Sequence, residues 1–275
     1  MTARILVDGV AGDRVGALDR GLAYGDGLFE SIRLVGARAP LWARHMQRLG
    51  ADCLRLLIPA PDTEQLWREV RQVSAGMADA VVRITVTRGQ GERGYALPAS
   101  PRPTRVVAAF PPPPPAGDAA IHGVHVRTCQ LRLAEQPRLA GIKHLNRLEQ
   151  VLARSELNDP AVAEGLLCDG GNRVISATMA NLFAVIDGQL STPALDRCGI
   201  AGVARAEVLE VLPRTRVEDI ARETLATASE LFLTSSVRGI VPVQSLDGQT
   251  YLPGPVAREL QQHWRELGFR TEHGG

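Results

Sequence analysis

Neither sign of charge dominates this sequence: 31 Lys and Arg residues face 30 Asp and Glu. That balance gives no electrostatic footprint for nucleic acid or an anionic membrane surface. No window approaches 18 uninterrupted apolar residues, so no bilayer-spanning helix is expected. The N-terminal MTARILVDG lacks the apolar core of a signal peptide. The four cysteines, Cys53, Cys129, Cys168 and Cys198, are far apart and form no CxxC pair, which predicts reduced thiols in the cytoplasm. The six histidines are scattered, and only His122 and His125 lie close together, in AIHGVHVRT. The alternation there predicts a strand with two exposed positions, and no metal site is expected. At 275 residues and 45% hydrophobic content the chain can bury one large core or two modest ones. Small-molecule chemistry is the remaining direction.

Lysine is the scarcest charged residue, for the basic set comprises thirty arginines and the single Lys143. Codon bias accounts for the arginines, since a surface cation that needs only charge exchanges one residue for the other. It does not account for the survivor. A guanidinium stays protonated and is a poor nucleophile, whereas a lysine amine can be desolvated, deprotonated and condensed with a carbonyl. Lys143 is therefore a candidate for amine chemistry, with a surface remnant as the ordinary alternative.

Residues 1–110 read as short strands, RILVDG, LFESIRLV, AVVRITVT and RVVAAF, around two helical stretches. In PDTEQLWREVRQV, Asp62 can cap a helix with Gln65 three residues on, and Leu66, Val70 and Val73 mark its apolar face. The run Pro111–Pro115, followed by Ala116 and Gly117, predicts a stiff connector over 111–117 between two domains. Over 118–275, strands alternate with helices: VHVRTC, a helix beginning near Lys143, GLLCD, NRVIS, NLFAVID turning at Asp187-Gly188, a helix from Gly202, ELFLTSS and VPVQSL. After Pro255 a final helix has Val256, Leu260, His263 and Trp264 available for docking. A mixed α/β architecture follows, with antiparallel character at the Asp-Gly turn.

The segment RLAGIKHLNRLEQVLARSEL around Lys143 closely resembles the lysine segment of aminodeoxychorismate lyases, within the fold-type IV group of pyridoxal-phosphate enzymes. LDRGLAYGDGLFESIRL (18–34) is similar to the N-terminal strand and turn of that group, and RHMQRLGADC (44–53) to its HxxRL helix. NLFAV (181–185), followed by STP and GIAGVAR, matches the later cofactor-binding half in order and spacing. The resemblance covers nearly the whole chain. It implies a two-domain α/β fold, pyridoxal 5'-phosphate held between the domains, and a homodimer that shares the site.

Residue by residue, the resemblance implies that Lys143 carries the cofactor covalently and, once displaced by the substrate amine, acts as general base or acid. Arg48 would bind the phosphate through charge-assisted hydrogen bonds. Val203 and Ala204, in Gly202-Val203-Ala204-Arg205, would offer backbone N–H groups to the same phosphate, and Ser236 a hydroxyl. The stretch Arg93 to Leu97, with Tyr95, looks like the substrate loop of the lyases. Its arginine would face the carboxylates of 4-amino-4-deoxychorismate, and 4-aminobenzoate and pyruvate would be the products. Ser176 departs from the pattern, standing where relatives carry a glutamate facing the pyridine nitrogen. A hydroxyl cannot hold a pyridinium as a carboxylate does, so the ring becomes a weaker electron sink. A reaction driven by aromatisation suffers least from that change. An aminotransferase acting on branched-chain or D-amino acids, and a non-catalytic binder of the cofactor, remain the alternatives.

Overall fold

The computed structural model describes residues 4–114 and 117–269. Two compact units emerge, Met1–Pro113 with Lys143–Asn146, and Pro114–Ile142 with Arg147–Gly275. Pro111–Pro114 adopt no regular element, while Pro115 and Ala116 of the expected connector lie outside the described residues.

The first unit contains strands β1 (Arg4–Val7) and β2 (Val10–Ala11), helix α1 (Arg20–Tyr24), strand β3 (Gly27–Val35), helices α2 (Trp42–Arg55) and α3 (Thr63–Val73), and strands β4 (Asp79–Thr87) and β5 (Arg105–Phe110). Its five strands form one sheet in the order β2-β1-β5-β4-β3, antiparallel at every pairing. Asp62 caps α3 through its carboxylate, which accepts the Gln65 N–H at 2.7 Å. Gln65 does not close the reciprocal half of the cap; its amide donates to Glu69 instead. Leu66 and Val70 are fully buried and Val73 nearly so, so the helical spacing in the sequence marks the face that α3 buries.

The second unit contains α4 (Asp118–His122), β6 (Val124–Leu133), α5 (Leu148–Ser155), β7 (Val162–Asp169), β8 (Val174–Ala177), β9 (Asn181–Ile186), β10 (Gln189–Pro193), α6 (Val203–Val211), β11 (Arg216–Glu218), a 3-10 turn (Arg222–Thr227), β12 (Glu230–Ser235), β13 (Gly239–Leu246), β14 (Gln249–Thr250) and α7 (Pro255–Glu266). Strand order is β11-β10-β9-β12-β13-β6-β7-β8, with β14 on β13. Parallel pairings of β6 with β7 and β13 make this sheet mixed. Leu260 and Trp264 of α7 are buried, as their spacing predicts. Asp-Gly pairs make the two-residue turns of three hairpins, at Asp8-Gly9, Asp187-Gly188 and Asp247-Gly248, all six residues at positive φ. That is the type I′ requirement, which Asp tolerates and Gly satisfies without cost.

Two local expectations need correction. His122 ends helix α4 and is not in a strand; Gly123, at φ 91, breaks the chain between it and β6, and only His125 is an exposed strand residue. The helix expected near Lys143 starts five residues later, at Leu148. Residues 143–145 instead run along β3: the Lys143 carbonyl accepts the Phe29 N–H at 3.1 Å and the Leu145 N–H donates to the Gly27 carbonyl at 2.9 Å. Backbone groups committed to a strand cannot also close helical turns.

Candidate active site

In the first unit, Lys143 is fixed by its main chain. Besides the bond from Phe29, its own N–H donates to Asp52 Oδ2 at 3.0 Å. The side chain is half-buried, with Nζ 4.2 Å from the centroid of the Phe29 ring. The guanidinium carbon of Arg83, two residues from the Phe29 partner Thr85 along β4, lies 4.0 Å from the same centroid. One aromatic ring thus gathers an amine and a guanidinium, the contact expected of cations over a π face.

Helix α2 supplies the polar groups beside that lysine. His45, Arg48 and Asp52 share one edge of its buried face, at the three- and four-residue spacings that align side chains on a helix. Arg48 engages the buried Glu30 of β3 through Nε at 2.8 Å and through Nη2, and His45 Nδ1 lies 2.7 Å from Glu30 Oε2. Burial pushes the Glu30 carboxyl up, but Arg48 and His45 outweigh it and bring the pKa to about 2. Burial holds His45 below its ordinary value despite the glutamate. Asp52 is raised by burial, against the Lys143 N–H and the nearby Arg48.

The glycine-rich loop carrying Arg93 and Tyr95 is anchored from within the same unit. Asp26 pairs with Arg88 through both oxygens at 2.7 and 2.9 Å and with Arg20 at 2.9 Å. Burial raises the Asp26 carboxyl, but the two arginines together draw it below its ordinary value. Arg20 also donates to the Gly94 carbonyl, and the Tyr24 hydroxyl accepts the Gly94 N–H. Arg93 itself is exposed and Tyr95 is 86% exposed, its ring 5.5 Å from that of Tyr24.

The second unit presents a different set. Gly202 precedes α6, whose first turn has no side-chain cap and no acidic residue; Val203 and Ala204 therefore open the helix with N–H groups oriented for an anion. Asn181, at the start of β9, fixes this end: its Oδ1 accepts the Gly202 N–H at 3.1 Å and its Nδ2 donates to the Ile200 carbonyl at 2.9 Å. Thr234, the cross-strand partner of Asn181, is 1% exposed, and its hydroxyl has no hydrogen-bond partner among the described residues. Arg205 is buried against Thr192 and the Pro193 carbonyl, and burial lowers its guanidinium to about 10. Ser236 is half-buried in the turn after β12, and Ser176, on β8 opposite Leu167, is 8% exposed.

In the first unit the Lys143 amine can condense with an aldehyde; in the second, the uncapped start of α6 and the orphan Thr234 hydroxyl can bind a phosphate. Among the described residues no group of His, Cys, Asp and Glu could hold a metal ion. No helix among them is long and apolar enough to cross a membrane.

The family model of the amino-transferase class IV proteins matches residues 27–246. The chain belongs to the class IV aminotransferase family. Within this family, it is 36% identical to an aminodeoxychorismate lyase of Vibrio harveyi, over 93% of this chain and 97% of that one. The crystal structure of 4-amino-4-deoxychorismate lyase from Pseudomonas aeruginosa superposes with a TM-score of 0.91 at 45% identity, covering 95% of this chain and 98% of that one. The branched-chain amino acid aminotransferase of Escherichia coli superposes at 0.84 with 26% identity, over 96% and 94%. The mixed α/β architecture is that of the class IV family.

The first unit brings Lys143 and Arg48 together; the second collects Val203 and Ala204 beside Asn181 and Thr234. Arg93 and Tyr95 stand on an exposed loop, where the Tyr95 ring meets that of Tyr24. Sequence reading missed Glu30, His45, Asp52, Phe29, Arg83 and Asn181. Glu30 and Arg83 carried a signal, as charged residues inside apolar strand runs.

Proposed function

We propose that the chain is a pyridoxal-phosphate-dependent lyase that converts 4-amino-4-deoxychorismate into 4-aminobenzoate and pyruvate, a step of folate synthesis. The observation that carries this reading is the identity to proteins named as lyases, 36% and 45% over nearly the full length, against 31% and 26% to proteins named as branched-chain aminotransferases. Lys143 would hold the cofactor, Arg48 and the Val203 and Ala204 N–H groups its phosphate, with Ser236 beside them. Bound there, the cofactor supplies an aldehyde for the substrate amine and a ring that draws electrons from the adjoining carbon.

The chain's own residues do the rest. The Lys143 amine, held over Phe29 by main-chain bonds on both sides, takes the proton from the amine-bearing ring carbon of the substrate. The bond from the neighbouring carbon to the enolpyruvyl oxygen then breaks, the ring becomes aromatic, and the departing enolpyruvate gains a proton to become pyruvate. Arg83 and Arg93 supply guanidinium forks for the two carboxylates of the substrate. Ser176 supplies no anion to the cofactor ring, which disfavours transamination more than an elimination driven by aromatisation.

Leu148, Val151 and Leu152 form an exposed apolar stripe on α5, which supports a homodimer. Four free, buried cysteines support a cytoplasmic setting. Incubating the purified protein with 4-amino-4-deoxychorismate and following both products tests the reading. Stoichiometric 4-aminobenzoate and pyruvate is expected; amino-group exchange with branched-chain or D-amino acids, without 4-aminobenzoate, would establish the aminotransferase instead.

A further inference from the structure

We propose that Asp52 is a positioning residue for Lys143: its carboxylate, carried on α2, locks the lysine main chain to the same helix that bears Arg48. The inference rests on the reading of Lys143 as the cofactor-binding amine.

Two ordinary strand bonds tie the lysine segment to β3, from Phe29 to the Lys143 carbonyl and from Leu145 to the Gly27 carbonyl, and the Asn146 amide donates to the Gly25 carbonyl at 3.3 Å. The Lys143 N–H makes a bond of a different kind, to a side chain: it ends on Asp52 Oδ2 at 3.0 Å, a residue 6% exposed. A buried carboxylate is costly unless it is bonded, and a serine or asparagine would accept one N–H at lower cost. A charged acceptor makes the stronger bond. Arg48 and Arg55, one turn away on either side along α2, both lower the carboxyl against the raising effect of burial and of Glu30. Burial still leaves the carboxyl above its ordinary value, and the Lys143 N–H is among the groups that oppose it.

Its consequence is geometric. Arg48 and Asp52 are one turn apart on a single rigid element, so the cation proposed for the phosphate and the main chain of the amine move together. A displacement of about 1 Å at a reacting group is enough to cost on the order of a hundredfold in rate. Without the Asp52 bond, the Lys143 main chain gains freedom to shift relative to α2. Asp52 removes that freedom without touching substrate or cofactor.

The single lysine makes the test direct, because any borohydride-trapped pyridoxal phosphate on a lysine reports Lys143 alone. The full-length protein is stripped of cofactor, mixed with pyridoxal phosphate, quenched with borohydride at intervals and read by peptide mass. Asp52→Ala is expected to slow capture about tenfold and to lower kcat with KM within about twofold, while Asp52→Asn, which keeps an oxygen acceptor, recovers most of both. The Lys143 amide should also exchange with deuterium faster in Asp52→Ala than in wild type, a readout that needs no cofactor. Should the alanine variant fail to fold, Asp52→Leu, of similar volume and without an acceptor, carries the same comparison. Wild-type capture and amide protection in a folded acceptor-free variant would overturn the proposal, as would an asparagine variant no better than alanine. Failure of the wild-type protein to capture pyridoxal phosphate would instead overturn the reading of Lys143 on which it rests.

Discussion

The amine of Lys143 lies 4.2 Å from the centroid of the Phe29 ring, and Phe29 donates its own backbone N–H to the Lys143 carbonyl. One residue therefore sets both the height of the lysine main chain and the surface its amine rests on. Phe29→Leu keeps the strand bond and most of the buried volume but removes the π face. It should cost about 1 kcal/mol of stability and lower kcat roughly two- to fivefold, because the amine loses a cation–π contact of about 0.5–1 kcal/mol. Urea unfolding alongside steady-state kinetics checks both numbers. An unchanged kcat would show that the ring does not orient the amine.

Arg83 shares that ring, its guanidinium carbon 4.0 Å from the centroid, whereas Arg93 sits on an exposed loop. Arg83→Met should therefore raise KM for the dicarboxylate substrate by about tenfold or more, with cofactor loading intact. Arg93→Lys should have the smaller effect on KM, since its loop is anchored through Arg20, Tyr24 and Arg88 and not through its own side chain. The opposite ranking in the two variants would make Arg93, and not Arg83, the stronger of the two carboxylate contacts.

Much of this arrangement was legible in the sequence, and what was missed shares a cause. The Asp62 half of the cap, the buried face Leu66-Val70-Val73 and the turn at Asp187-Gly188 depend on neighbours within a few residues, and each stands as read, while the Gln65 side chain turns to Glu69 instead. The helix near Lys143 was misplaced because residues 143–145 are held by a strand more than a hundred positions away. Glu30, His45 and Asp52 were missed for the same reason. Glu30 stands out inside an apolar strand run, whereas His45 and Asp52 lie among other polar residues of an amphipathic helix, and the partners of all three are on other elements. The roles of Arg48, Val203, Ala204, Ser236 and Ser176 rest on resemblance and on the fit described above.

Acid should unfold the protein through Glu30. Its carboxyl is free near 4.5 but about 2 in the fold, because Arg48 and His45 overcome the effect of burial. A depressed carboxylate contributes stability above its unfolded value, and that contribution is lost as pH falls from about 4.5 towards about 2. The loss amounts to about 3 kcal/mol. His45 acts in the same direction from higher pH, since burial lowers it from 6.5 and the unfolded chain takes the proton first. Glu30→Gln should lower stability at neutral pH by about 3–5 kcal/mol, by breaking a buried pair, and flatten the slope below pH 4.5. Urea midpoints between pH 7 and 3 test the slope; parallel curves for wild type and variant would remove Glu30 as its source.

A methyl at position 202 should disturb the proposed phosphate cradle specifically. A Cβ on Gly202 would lie 2.1 Å from Asn181 Oδ1, although the backbone there, φ −67 and ψ 144, is open to any residue. Gly202→Ala must therefore displace Asn181 or the start of α6. Affinity for pyridoxal phosphate is expected to fall about tenfold or more, while the rate of capture of unphosphorylated pyridoxal on Lys143 changes little. Adding Asn181→Ala should relieve the clash and recover part of the loss, a coupling that a double-mutant cycle reads directly. Equal losses for both aldehydes would place the effect elsewhere than at the phosphate.

Ser176 decides how the cofactor ring is used. If its hydroxyl faces the pyridine nitrogen, the nitrogen has no anion to hold its proton, and electron withdrawal by the ring is weaker than with a carboxylate there. An elimination that ends in an aromatic product tolerates this, whereas amino-group transfer has no such driving force. Ser176→Glu should then raise transamination of simple amino acids relative to 4-aminobenzoate formation, and shift the pH dependence of the bound cofactor's absorbance towards a nitrogen protonated at higher pH. The position is 8% exposed, so the new carboxylate also bears a burial cost that lowers stability. Ser176→Gln, of the same size and uncharged, separates the two effects: it should reproduce the packing cost and leave the activity ratio at the wild-type value. Both activities are measured on one preparation of each variant, so that cofactor loading cancels in the ratio. A folded Ser176→Glu protein with an unchanged ratio and an unchanged absorbance profile would show that this side chain does not face the ring, and the nitrogen's partner would have to be sought on another strand.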